Sequence, residues 1–102
     1  MARAAFVLDI RPDKVDEYVA AHGEVWPEMR EALKRAGFRN YSIHRHGRQA
    51  FAYFEADDPE AALAAMAAEE VNTKWQDRMA GLLDERVADT GPRLLPEIFR
   101  LD

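Results

Sequence analysis

Tyr18, His22 and Trp26 follow one another at intervals of four, the spacing that lines side chains along one stripe of an α-helix. Aromatic residues at that spacing commonly pack into a core. Three features point these toward chemistry instead. Two of the three carry polar heads that need partners when buried. The stripe crosses an expected helix break, where backbone groups are freed. His22 also precedes Gly23, at a helix C-terminus whose negative dipole end favours the imidazolium. A histidine so placed serves as a general acid near neutral pH. Tyr41 falls on a later strand, and Trp75 and Gln76 on the last helix. Together they are the side chains a sugar site uses: aromatic faces stack on the ring, while hydroxyl and amide groups bond its hydroxyls. Trp75 taken alone reads equally well as core.

His44 and His46 share one strand face and could bind a metal. No third ligand is near them in sequence and the pair abuts a turn, so a solvated strand end is expected, with no metal and no cofactor. There is no GxSxG, no phosphate-cradling glycine loop and no HExxH. Nucleophilic catalysis by serine or cysteine has no candidate constellation.

The elements that must position these residues can be read from periodicity. Ala4 to Ile10 is an apolar run that reads as a strand, and Pro12 is expected in or near the first turn of the helix that follows. Apolar positions from Val15 to Ala36 recur in steps of three and four, interrupted by Gly23 and Pro27. Two helical pieces meeting between Gly23 and Trp26 are expected, the second closed by Gly37. Phe38 to His46 alternates, with Tyr41, Ile43 and Arg45 on one side and Asn40, Ser42, His44 and His46 on the other. Gly47-Arg48 supplies a hairpin turn into the strand Ala50 to Glu55, which is apolar on both faces. Asp57-Asp58-Pro59 caps an alanine-rich helix, Val71 to Leu83 forms another, and after a loop over 84–93, Leu94 to Leu101 reads as a closing strand. The order predicts an α+β, ferredoxin-like β-α-β-β-α-β antiparallel sheet with helices on one face. The bare face, too apolar for water at Phe51 and Tyr53, is expected to meet a second copy in a homodimer.

Composition agrees with one such domain spanning 1–102. Hydrophobic residues make up 48% and charged residues 32%, a globular balance, and 102 residues hold one core rather than two. A net charge of −5 argues against nucleic acid, which needs a basic patch. No cysteine is present, which excludes disulfides and thiolate metal sites. Neither a signal peptide nor a membrane-spanning run is evident, so a cytoplasmic address and no membrane partner are expected.

Pro12-Asp13, Glu17-Tyr18 to His22, Val25-Trp26-Pro27-Glu28, Asn40-Tyr41-Ser42-Ile43, Lys74-Trp75 before Met79, and Pro96-Glu97-Ile98-Phe99 together resemble the L-rhamnose mutarotase family across essentially the whole chain. The resemblance implies a dimeric α/β-barrel type of ferredoxin-like protein that exchanges the α and β anomers of a deoxy sugar without cofactor or metal. It implies that His22 is the proton donor, that Tyr18 and Tyr41 bind substrate, and that Trp75 is the first of a tryptophan pair contacting the sugar. Gln76 stands where that family has the second tryptophan. The exchange makes the pocket more polar and admits another sugar, such as L-fucose. The expected function is therefore a 6-deoxyhexose 1-epimerase acting on L-rhamnose or L-fucose, with Tyr18, Trp26, Tyr41, Trp75 and Gln76 binding substrate and His22 catalytic. Two other readings compete: a small cofactor-free or haem-linked monooxygenase, and a sugar-binding dimer without activity.

Overall fold

Three eight-residue strands carry the alternation: β1 (Ala2–Asp9), β2 (Arg39–His46) and β3 (Gln49–Ala56). They form one antiparallel sheet in the order β1-β3-β2 in the structure, a computed structural model that describes residues 1–87 and 91–101. Ala4 pairs with Phe54, and Phe6 and Ile43 both lie opposite Ala52, so these residues share the helix-covered face. Phe54 at its centre is fully buried. Phe51, Tyr53, Ser42 and His44 point the other way, and Phe51 is 42% exposed. Among the described residues the helices cover only one face of the sheet, as the order of elements predicts.

Among the described residues four helices supply that cover: α1 (Val15–His22), α2 (Pro27–Ala36), α3 (Pro59–Ala67) and α4 (Glu70–Ala80). The α1–α2 break falls where Gly23 and Pro27 predict it. Trp26 is extended (φ −58°, ψ 138°), the conformation a following proline imposes, and Pro27 opens α2. Gly37 ends α2 in the left-handed region at φ 99°, with Phe38 N–H donating to the Leu33 carbonyl and Gly37 N–H to Lys34, a Schellman cap. Asp58 caps α3 by accepting from Ala61 N–H. Pro12 lies outside α1, in the turn before it, where Lys14 N–H donates to the Arg11 carbonyl. Its fixed φ suits the second position of such a turn better than a helix start already provided by Lys14.

The end of α4 is tied back to the sheet. Ile10 bridges to Leu83, Arg11 N–H donates to Leu82, and the Arg48 guanidinium spans the Ile10 carbonyl and the Asp84 carboxylate. These bonds hold the end of the last helix beside the turn of the β2–β3 hairpin. The closing segment differs from expectation. Among the described residues it makes one backbone bond to the sheet, Leu95 N–H to Ala5 O, plus an Arg3–Glu97 ion pair. Pro96 has no N–H to continue a ladder, and Ile98, Phe99 and Leu101 remain 95%, 72% and 83% exposed. Part of the expected 84–93 loop, residues 88–90, lies outside the described residues.

Candidate active site

Between the sheet and the helices α1 to α4 lies a cavity of about 240 Å³, and it gathers Tyr18, His22, Tyr41, Trp75 and Gln76. That volume is just below the range of small-molecule sites, about 300–1,000 Å³, and suits a single sugar ring. Five of the six residues expected at the site line one space although they come from three separate elements. Trp26 does not line it. The helix break removes Trp26 from the stripe of Tyr18 and His22, and its ring packs edge-on against Trp75 at 5.0 Å. There it supports a wall of the cavity from behind.

His22 is held from two sides. Its ring lies 4.3 Å from the Tyr18 ring and 5.5 Å, edge-on, from Trp75. Nδ1 is 2.9 Å from the Tyr18 carbonyl oxygen, which can only accept, so Nδ1 carries the proton. This bond fixes the tautomer and leaves Nε2 with its lone pair free. Burial holds the imidazole below its ordinary value; the bond to Tyr18 opposes the fall and the Arg78 guanidinium adds to it. The negative end of the α1 dipole favours an imidazolium at this position. Desolvation outweighs it, and the resting ring is neutral at neutral pH.

The two tyrosines behave oppositely to a base. Burial pushes the Tyr18 phenol up to about 12, and burial together with Tyr18 beside it raises Tyr41 further. Both stay protonated and can donate. Among the described residues neither hydroxyl has a hydrogen-bond partner, and no buried polar side-chain atom is sealed without one, so both hydroxyls face open cavity. Tyr41 is seated by the rings of Phe38 at 5.4 Å and Phe54 at 6.0 Å.

Trp75 is only 5% exposed and packs as core as well as wall. The Arg78 guanidinium lies 5.8 Å from its ring centre. Gln76 Nε2 donates to Asn72 Oδ1 at 3.2 Å, which orients one amide by the other. Asn72 also lines the cavity and was missed from sequence. Asn72, Trp75, Gln76 and Met79 recur at helical spacing, and that stripe was the available signal. His44 and His46 lie apart from this site, exposed at the hairpin end, with His44 Nε2 3.3 Å from Ser42 Oγ.

Comparison with known proteins agrees with this arrangement. The sequence model of the L-rhamnose mutarotase family matches residues 3–101. The L-rhamnose mutarotase of Oceanobacillus iheyensis is 37% identical over a 105-residue alignment covering 100% of both chains. The crystal structure of an L-rhamnose mutarotase from Formosa agariphila superposes with a TM-score of 0.80 at 27% identity, again covering 100% of both chains. A dimeric ferredoxin-like protein from an uncultured marine organism has a TM-score of 0.60 at 12% identity, covering 97% of this chain and 91% of that one, a likeness of fold alone. The α+β fold is thus ferredoxin-like.

Proposed function

The chain belongs to the L-rhamnose mutarotase family and is an isomerase of that type, and we propose that it exchanges the α and β anomers of 6-deoxyhexoses, L-rhamnose and L-fucose, through His22. The observation that carries the reading is a neutral imidazole with Nδ1 anchored and Nε2 free, beside two protonated phenols with unpartnered hydroxyls, in a cavity of one-sugar size.

Anomer exchange opens the hemiacetal, rotates the aldehyde and recloses the ring. The neutral His22 takes the proton of the anomeric hydroxyl at Nε2 as the bond from C1 to the ring oxygen breaks. C1 becomes a carbonyl, and the imidazolium so formed returns the proton to the ring oxygen. Rotation about C1–C2 and the reverse sequence give the other anomer with no net proton change. The Tyr18 and Tyr41 hydroxyls donate to the sugar oxygens and steady the charge that develops there. Leu8, Leu63 and Met66 offer an apolar wall for the C6 methyl group. Gln76 adds an amide where a second ring would restrict the cavity, which supports the wider choice of sugar. A monooxygenase reading has no residue set that favours it once the chain is placed in this family.

The bare outer face of the sheet, with Phe51, and the exposed Ile98, Phe99 and Leu101 support a homodimer in which a second copy covers them. A cytoplasmic address fits a sugar isomerase, and no helix among the described residues is long and apolar enough to cross a membrane. Polarimetry on freshly dissolved L-rhamnose, L-fucose and L-mannose tests the substrate class. Faster relaxation with the two deoxy sugars than with L-mannose is expected, and equal rates for all three would remove the role of the apolar wall.

A further inference from the structure

Tyr41 reaches the cavity only because β2 carries one more residue than its partner at that point. Arg39 lies opposite Glu55 and Ser42 opposite Tyr53, so three steps along β2 match two along β3. The extra residue is Asn40, which takes a left-handed conformation at φ 49° and is the single non-glycine to do so among the described residues. In an unbroken alternation starting from the buried Phe38, Asn40 would face inward and Tyr41 outward beside Tyr53. The bulge reverses this and leaves Phe38, Tyr41 and Ile43 all on the helix side.

The outer face locks the bulge. Asn40 Nδ2 donates to Glu55 Oε1 at 2.6 Å, while the Tyr53 hydroxyl donates to Oε2 at 2.5 Å. Glu55 therefore has both oxygens occupied, and its carboxyl is held below the ordinary range by these two bonds, Tyr53's first. Asparagine is among the few residues that tolerate φ above zero, and its amide reaches the carboxylate from that conformation. We propose that the Asn40 bulge, clamped by Glu55, is a positioning device that sets the Tyr41 hydroxyl in the sugar cavity. Asn40 and Glu55 touch no substrate and act through Tyr41. This inference rests on the reading of Tyr41 as a sugar-binding residue.

The test compares Asn40→Val, which resists φ above zero and lacks the amide, with Asn40→Gly, which keeps the conformation. Both are measured alone, and the valine change also in a Tyr41→Phe background, with kcat and KM for L-rhamnose exchange separated. Loss of one hydrogen bond to substrate corresponds to about 2- to 12-fold in KM, and that rise is expected for both Tyr41→Phe and Asn40→Val. The double variant should be no worse than Tyr41→Phe, because the hydroxyl it would misplace is already gone. Asn40→Gly admits the left-handed backbone but lacks the amide that bonds Glu55, so it should recover only part of the loss, the part that belongs to the backbone conformation. Penalties that multiply in the double variant, or an unchanged KM for Asn40→Val, would overturn the proposal. If Asn40→Val fails to fold, Glu55→Ala removes the clamp without altering backbone preference and takes its place in the same cycle. A crystal structure of the chosen variant keeps the outcome separate from that of the mutarotase reading. Should the parent exchange no sugar at all, a Tyr41 ring displaced from the cavity upholds the device, and a ring still seated on Phe38 and Phe54 refutes it.

Discussion

Replacing His22 with alanine separates a catalytic histidine from a structural one, because the structure predicts different magnitudes for the two. The imidazole packs on Tyr18 and Trp75 and, among the described residues, makes one hydrogen bond, from Nδ1–H to the Tyr18 carbonyl. That carbonyl lies inside α1, where the helical ladder already supplies a donor from residue 22 itself, so it is not orphaned. The ring is half-buried, and its loss leaves a recess continuous with the cavity rather than a sealed void. The stability cost should be near one hydrogen bond, about 1 kcal/mol, or about 4–8 °C in melting temperature for a domain of this size. Anomer exchange should fall by about 10²- to 10⁴-fold, the contribution of one positioned proton-transfer group, down to the rate in buffer. Sugar binding should weaken little, since the phenols and Trp75 remain. Exchange by NMR, melting by circular dichroism and binding by calorimetry are run on the one variant. Normal exchange in a strongly destabilised protein would refute the assignment of His22 to the chemistry.

Three further outcomes follow from particular residues. Since burial lowers the His22 value, the working neutral form is full at neutral pH and is lost as pH falls through a point below about 6.5. A kcat/KM profile flat above that point agrees; a rate that falls as pH rises through the region would show that the imidazolium is the working form. Gly37→Ala meets no atom within 4 Å, so its cost is the left-handed backbone alone, about 1–2 kcal/mol by thermal or urea unfolding, and an unchanged midpoint would contradict the cap. Phe51→Glu places like charges on the sheet face expected to pair with a second copy, and sedimentation should show the dimer dissociating to the 11.6 kDa chain. A parent that already sediments as a monomer would remove that interface.

What could be read from sequence was what local chemistry enforces. Pro27 demands an extended residue before it, Gly37 admits a left-handed cap and Gly47 (φ 59°) a hairpin, so the breaks fell where they were expected. The five residues that line the cavity could be named together because their types suit a sugar. What failed was non-local or energetic. Leu94 to Leu101 is apolar enough for a strand, but pairing depends on a neighbour, and Pro96 interrupts the ladder after a single bond. Trp26 shared a spacing with His22 that a broken helix does not preserve. The step of three from Phe38 to Tyr41 announced a bulge, yet alternation counted from Tyr41 onward hides it. The charge of His22 turned on two opposed effects: the helix end was visible in sequence, and the burial that outweighs it was not.

The most direct test of the whole account is saturation transfer between the two anomeric protons of L-rhamnose at equilibrium, at neutral pH, with and without micromolar protein. Irradiating the α-anomer signal should attenuate the β signal only when the protein is present, and the effect should vanish with His22→Ala. A β signal unaffected by the parent protein, with sugar bound to it by calorimetry, would mean that the cavity holds the sugar without opening its ring, and the central claim would fail.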